Sequence, residues 1–319
     1  MSRRISVVVP VYRSEAILPE LVRRLEVVLA TVAGEFELVL VNDSSPDRSW
    51  DVITSLAASH ASIHPINLMR NYGQHNALLC GIRAAQGDII VTMDDDLQHP
   101  PEELPKLLTE IDAGYDVVYG TPEQEQHGLG RDLASWITKF TLQSVMGSQI
   151  ARKVSAFRVF RRDVARAFTH YRGAFVSIDV LLTWGTTRFS AVTVRHEARK
   201  SGVSGYSLRK LMTHGLNMMT GFSTLPLQFA SVVGFLFTLF GIAVLVFVVG
   251  RFLLLGGSVP GFPFLASIIA LFSGAQLFAL GIIGEYLARM HFRMMDRPSY
   301  VVRDAASISQ PWNEPPEPK

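Results

Sequence analysis

The sequence predicts an α/β domain built on a mainly parallel sheet, followed by a C-terminal hairpin of two membrane-spanning helices. Three observations predict it. Short β-branched runs alternate with helix-length segments through roughly the first 120 residues. Polar and acidic residues gather directly after those runs. Beyond Glu197 no acidic residue appears until Glu285, and two long uncharged apolar stretches fill most of that interval. An apolar content of 48% and a mean hydropathy of +0.24 are high for a wholly soluble protein of 319 residues.

In chain order, residues 5–9, 38–41, 63–68, 89–93 and 117–119 read as strands buried on both faces, with Pro10 ending the first. Residues 18–32, 49–59, 75–85 and 102–113 have helical length and spacing. The alternation predicts parallel strands joined by right-handed crossovers, with ligands bound beyond the carboxyl ends of the strands. The segment 121–197 is less regular, with helices expected at 131–146 and 174–184 and strands near 154–160 and 189–196, and extends the same domain. The expected division is a cytoplasmic domain at 1–205, an interfacial amphipathic segment at 206–226, two transmembrane helices within 227–290 and a C-terminal tail at 291–319.

The apolar stretches 227–250 and 264–284 each suffice for a hydrocarbon layer of ~30 Å, which takes about 20 helical residues. A buried helix pair in a soluble protein is the alternative, disfavoured because so few polar atoms interrupt either stretch. The link at 251–263 carries Gly256-Gly257 and Pro260-Gly261, which suits a hairpin turn. Arg195, Arg199, Lys200, Arg209 and Lys210 precede the hairpin and Arg289, Arg293, Arg297 and Arg303 follow it, against Arg251 alone in the link. The positive-inside rule then puts the N-terminal domain and both termini in the cytoplasm of a multi-pass inner (plasma) membrane protein. Apolar Leu208, Leu211, Met212, Leu216 and Met219 among basic residues predict an interfacial helix over 206–219. Pro226 marks the turn into the first span, and the Pro/Glu-rich stretch 310–319 reads as disordered. The N-terminal MSRRISVVVPVY lacks the long apolar core of a signal peptide. A net charge of +2 without a basic run argues against nucleic acid as a partner. The single cysteine, Cys80, lies in an apolar helical stretch and reads as a core thiol.

Chemistry concentrates in IIVTMDDDLQHPPEEL. If the backbone stays extended past the strand, Asp94, Asp96 and Gln98 face one way and Asp95 the other, tolerant of change. Three oxygen donors on one side suit Mg2+ or Mn2+, which would screen a diphosphate. A solvated acidic turn capping the next helix is the plainer reading. In VVVPVYRSE, Tyr12 can stack on a nucleobase and Glu15 can accept hydrogen bonds from it, and Asp43 ends the second strand in a similar place. Ordinary turn and cap chemistry also accounts for each alone. Their shared edge favours one common ligand.

PVYRSE, VNDSSPD, MRNYGQHNALLCGI and MDDDLQHPPEELPKL together resemble family 2 glycosyltransferases of the polyprenyl-phosphate type. That group includes dolichol-phosphate mannose synthase, prophage glucosyltransferases of O-antigen modification and undecaprenyl-phosphate aminoarabinose transferase. RNYGQH, GAQLFALGIIGEYLARM and RPSYVV are most similar to the last. The resemblance implies a glycosyltransferase A-type fold and transfer of a sugar from a nucleotide-sugar donor to a polyprenyl phosphate for cell-envelope glycan or lipid A modification. It implies nucleotide contacts from Pro10, Tyr12, Glu15, Asp43, Arg70, Gly73 and Asp94, and a metal and diphosphate held by Asp94, Asp96 and Gln98. It implies catalytic roles for Asp94, Asp96 and Arg158, and an acceptor-phosphate site of Ser155, Arg158, Arg199, Ser204 and Tyr206. Departures from relatives stand at Ser14 (often glutamate), Asn42 (aspartate), Arg152 (an acid) and Gly205 (lysine).

A lipid phosphate monoester, with a second pKa near ~6, is mostly dianionic at neutral pH and needs no strong base. In-line attack at the anomeric carbon then inverts its configuration. His75 and His99 lie near the cluster without metal-ligand spacing to another His or Cys. A processive polysaccharide synthase is the competing enzyme, but the chain lacks a Q-x-x-R-W motif. A non-enzymatic scaffold with a nucleotide site is the third reading, and assembly of copies through the hairpin is compatible with any of them.

Overall fold

The computed structural model describes residues 3–122, 153–173, 176–197, 225–255 and 261–305. The expected helix at 131–146, the interfacial helix at 206–219, and Arg152, Arg199, Ser204, Gly205 and Tyr206 lie outside the described residues. Two compact units emerge, Met1–Leu211 with Arg297–Lys319, and Met212–Asp296.

In the first unit the strands are β1 (Arg4–Val11), β2 (Glu35–Asn42), β3 (Ile63–Leu68), β4 (Ile89–Thr92), β5 (Val117–Pro122), β6 (Arg158–Arg161), β7 (Phe189–Val194) and β8 (Val302–Ala305). Its helices are α1 (Leu18–Val32), α2 (Ser49–Ser59), α3 (Gln74–Ala84), α4 (Leu104–Asp112), α5 (Arg162–Arg166) and α6 (Ile178–Leu182). The sheet order is β7-β5-β6-β4-β1-β2-β3-β8. β1 pairs in parallel with both β2 and β4, and β2 with β3. β6 and β8 run antiparallel to their neighbours. Because the chain winds outward from β1 to β3 and returns to the far side of β1 with β4, the strand order reverses at β1 and opens a crevice at its carboxyl end.

Residues of β1 alternate between two apolar layers. Ile5, Val7, Val9 and Val11 pack with Leu21 and Leu25 of α1 and Leu104 and Leu107 of α4. Val8 packs with Leu78 and Leu79 of α3 on the other face. Fully burying such side chains contributes about 1.5–3 kcal/mol each. Gly81 lets α3 lie close on the sheet, since a Cβ there would stand 2.3 Å from Val8 Cγ1.

Two expectations change here. Pro10 does not end the first strand: the ladder to β4 stops at Val8 and Thr92, while the ladder to β2 continues through Pro10 to Val11 and Asn42. The segment after the hairpin is more than a tail. β8 pairs antiparallel with β3, with Ile66 opposite Ala305 and Leu68 opposite Val302.

The second unit holds α7 (Leu225–Leu255) and α8 (Phe262–Met294). Both are long and apolar enough to cross a membrane, over Pro226–Leu254 and Leu271–Met294. They pack on each other through Phe272, whose ring lies 5.8 Å from that of Phe237 and 6.5 Å from that of Phe240. α8 runs past the apolar stretch expected to end at residue 284, because Glu285 to Met294 are mostly good helix formers. The i,i+4 pair Glu285–Arg289, at 2.7 Å, supports that last part.

Candidate active site

A cleft of about 260 Å³ opens at the carboxyl ends of β1 to β4, lined by Pro10, Tyr12, Asp43, Gly73, Gln74 and the three aspartates Asp94, Asp95 and Asp96, among others. The lining comes from the end of β1 and from the loops that follow β1, β2, β3 and β4, as the switch-point topology requires.

Asp43, 3% exposed, accepts hydrogen bonds from the amides of Tyr72 at 2.7 Å and Gly73 at 2.8 Å. Burial raises its pKa above the usual carboxylate range, and those two amides oppose the rise. Gly73 sits at φ 91°, in the region open to glycine, and there the chain turns into α3. Gln74 Nε2 then donates to Asp94 Oδ1 at 2.6 Å. The β3 loop is thus bonded to the loops after β2 and β4.

Asp95 does the same for the β1 loop. Its Oδ2 accepts from Tyr12 N at 3.0 Å and from Ser14 Oγ at 2.5 Å. Burial pushes its pKa up to about 6, against the lowering effect of Ser14 and Tyr12. The expectation that Asp95 tolerates change does not include these two bonds, which tie it to the loop after β1. The extended alternation behind it fails because β4 ends at Thr92 and the acids enter a turn, with Leu97 at φ 58°.

The turn also relocates Gln98. Its amide donates to Asp96 Oδ1 at 3.1 Å, its carbonyl accepts from Glu197 N at 2.8 Å, and it is not among the residues lining the cleft. The expected third metal ligand is therefore held by its backbone and lies outside the cleft lining. Among the described residues no three His, Cys, Asp or Glu side chains converge as a metal cage. Asp94 and Asp96 still fit a magnesium-like ion, which commonly takes one or two carboxylates and completes its shell with substrate phosphate and water.

Glu15 and Arg70 also lie elsewhere. Glu15 Oε2 accepts from Arg48 N at 2.8 Å, capping the start of α2. The Arg70 guanidinium lies over the Tyr72 ring at 4.6 Å.

Arg158 is the largest departure. It is 2% exposed and ion-paired to Asp179, and Tyr119 Oη donates to the same carboxylate at 3.3 Å. Burial raises the Tyr119 pKa well above its usual value, and the Asp179 charge adds to the rise. The guanidinium is thus engaged in the core and absent from the cleft lining. Ser155 Oγ lies 3.4 Å from His99 Nε2. Burial and then His196, whose ring is 5.2 Å away, lower the His99 pKa to about 4 and keep it neutral at pH 7. The sequence reading placed His99 near the site but missed its pairing with His196, which arrives from the end of β7.

The family model for glycosyl transferase family 2 matches residues 6–168. Among curated proteins, the undecaprenyl-phosphate 4-deoxy-4-formamido-L-arabinose transferase of Pectobacterium carotovorum subsp. carotovorum (strain PC1) is 34% identical over 313 residues, covering 97% of this chain and 95% of the relative. The protein of that name from Yersinia enterocolitica serotype O:8 / biotype 1B is 33% identical, covering 98% of this chain and 96% of its own. Among solved structures, glucosyl-3-phosphoglycerate synthase from Mycobacterium tuberculosis, in complex with Mn2+, UDP-glucose and phosphoglyceric acid, has a TM-score of 0.52 at 17% identity, over 68% of this chain and 78% of that one. That likeness establishes a shared glycosyltransferase A-type fold. The motifs read at the strand ends, the fold and the near full-length relatives agree: the chain is a glycosyltransferase and belongs to glycosyl transferase family 2.

Proposed function

We propose that the chain transfers a single sugar, with inversion, from a UDP-sugar to a polyprenyl phosphate such as undecaprenyl phosphate, at the cytoplasmic face of the inner membrane. The observation that carries this reading is the cleft at the β1 switch point, where Tyr12, Asp43 and the Asp94–Asp96 turn converge. Tyr12, 42% exposed, offers a ring for a base, Asp43 an acceptor, and Asp94 and Asp96 two carboxylates for Mg2+ or Mn2+. When bound, that ion would offset the charge of the departing diphosphate. Asp95 and Asp43 hold the surrounding loops in place, so the donor meets donors and acceptors already oriented.

The names of the curated relatives support a polyprenyl-phosphate acceptor and put a 4-deoxy-4-formamido-L-arabinose donor first among sugars to test. Modification of lipid A or another envelope glycan would follow downstream. Two membrane-length helices suit an acceptor that stays in the bilayer. The arginines flanking the hairpin favour a cytoplasmic location for its two ends. Ser155, with Arg199, Ser204 and Tyr206, is assigned to the acceptor phosphate, and Arg158 to the support of the site.

The test is incubation of the purified full-length protein with undecaprenyl phosphate, a divalent metal and a panel of labelled UDP-sugars. One sugar per lipid with inverted anomeric configuration is expected. A polymer would favour the processive synthase, retained configuration would remove the direct-attack mechanism, and no transfer from any donor would favour a scaffold.

A further inference from the structure

We propose that the strand following the membrane hairpin is a positioning element of the donor site, acting through Arg303 and Val301 on the loop after β3. This rests on the assignment of the cleft to a nucleotide donor. The loop in question, from Met69 to Gly73, contributes Asn71 and Gly73 to the cleft lining and leads into Gln74, which bonds Asp94.

Both backbone groups of Met69 are taken by the returning segment. Met69 N donates to Val301 O at 2.9 Å, and Arg303 Nη2 donates to Met69 O at 3.1 Å. The β3–β8 register shifts between Asn67 and Leu68, so β8 sets where β3 stops and where the loop leaves the sheet. The segment is itself anchored at a second place. Arg83 of α3 lies over the Tyr300 ring at 5.6 Å and donates to Tyr300 Oη at 3.3 Å, and Ser299 Oγ donates to Gly173 O at 3.2 Å. Tyr300 is therefore fixed against α3, whose first residue is Gln74. An uninterrupted path of hydrogen bonds and short backbone steps runs from Arg303 through Met69 and the loop to Asp43 and, by Gln74, to Asp94. Arg303 is not among the residues that line the cleft. It is a positioning residue, and its effect should fall on donor binding.

The experiment compares the full-length wild type with Arg303→Ala, Arg303→Lys and Tyr300→Phe, reading donor KM, kcat, the Kd of UDP by calorimetry, and thermal unfolding. Arg166→Ala, which removes an equal charge from a surface pair with Asp163, is the control. Arg303→Ala is expected to raise donor KM and UDP Kd three- to tenfold, with kcat within twofold and unchanged unfolding. Lysine, which can still reach the Met69 carbonyl, should restore most of the loss, Tyr300→Phe should give a smaller increase, and the control should match wild type. Wild-type UDP affinity in Arg303→Ala, a loss confined to kcat, or an equal loss in the control would overturn the positioning role alone. A wild-type protein that binds no UDP would overturn the donor assignment and this proposal with it.

Discussion

The cleft at the ends of β1 to β4 and the Arg158 cluster both contain buried charge, yet they settle it differently. In the cleft, Asp43 and Asp95 meet backbone amides and a serine hydroxyl, so neutral dipoles hold the loops. Around Arg158 a full ion pair with Asp179 is closed over by Tyr119. An open cleft of oriented acids suits a cationic or metal-bridged ligand, whereas a self-compensated buried pair suits support of the fold. The contrast predicts that mutations in the first region change catalysis and donor binding, and that mutations in the second change stability first.

The largest effect should come from Asp96. Asp96→Asn is expected to lower kcat by about 100- to 1000-fold, on the scale of losing one preorganised electrostatic group, with little change in unfolding temperature. A tenfold or smaller loss in a steady-state transfer assay would move the diphosphate elsewhere. Next, Arg158→Ala should destabilise the domain by about 3–5 kcal/mol, because it strands the Asp179 carboxylate in the core. The double variant Arg158→Met with Asp179→Leu should recover much of that in denaturant titrations. An inactive Arg158→Ala protein of wild-type stability would instead restore the direct phosphate role read from the sequence.

A smaller effect is expected at Asp95. Asp95→Ala leaves the Tyr12 amide and the Ser14 hydroxyl without their acceptor, at about 1–3 kcal/mol, and should raise donor KM more than it lowers kcat. Asn, which keeps an acceptor oxygen, should fall between Ala and wild type in the same kinetics. The smallest concerns pH. Because burial raises the Asp43 pKa, its contribution to stability is fully present below the unfolded value of ~3.9 and is lost as pH climbs through the raised value. Asp43→Asn should flatten that part of the stability profile, and an unchanged slope in wild type and variant would contradict the assignment.

These contrasts also mark what a linear reading can reach. Helices α1 and α2 and strand β3 fall at the expected residues, because unbroken apolar spacing and turn residues on either side define them locally. Pro10, Tyr12, Asp43, Gly73 and Asp94 share the cleft, because strand ends in a parallel sheet share an edge. Where the partner is distant in sequence, a linear reading does not see the contact. Glu15 caps α2 through Arg48, thirty-three residues on, and Arg158 finds Asp179 twenty-one residues later. Gln98 lies outside the cleft lining, where one left-handed residue, Leu97, breaks the alternation. β8 was missed because VRDA carries only four residues and no apolar alternation, and its pairing with β3 is visible only once the chain has returned from the hairpin.

The central claim, that Asp94 and Asp96 hold a divalent metal together with the diphosphate while Asp95 holds the loop, is tested most directly by Mn2+ binding read by electron paramagnetic resonance, with and without UDP. Tight Mn2+ binding that requires UDP, disappears in Asp94→Asn and Asp96→Asn, and survives in Asp95→Asn is the predicted result. Mn2+ and UDP bound with wild-type affinity by Asp96→Asn would contradict it.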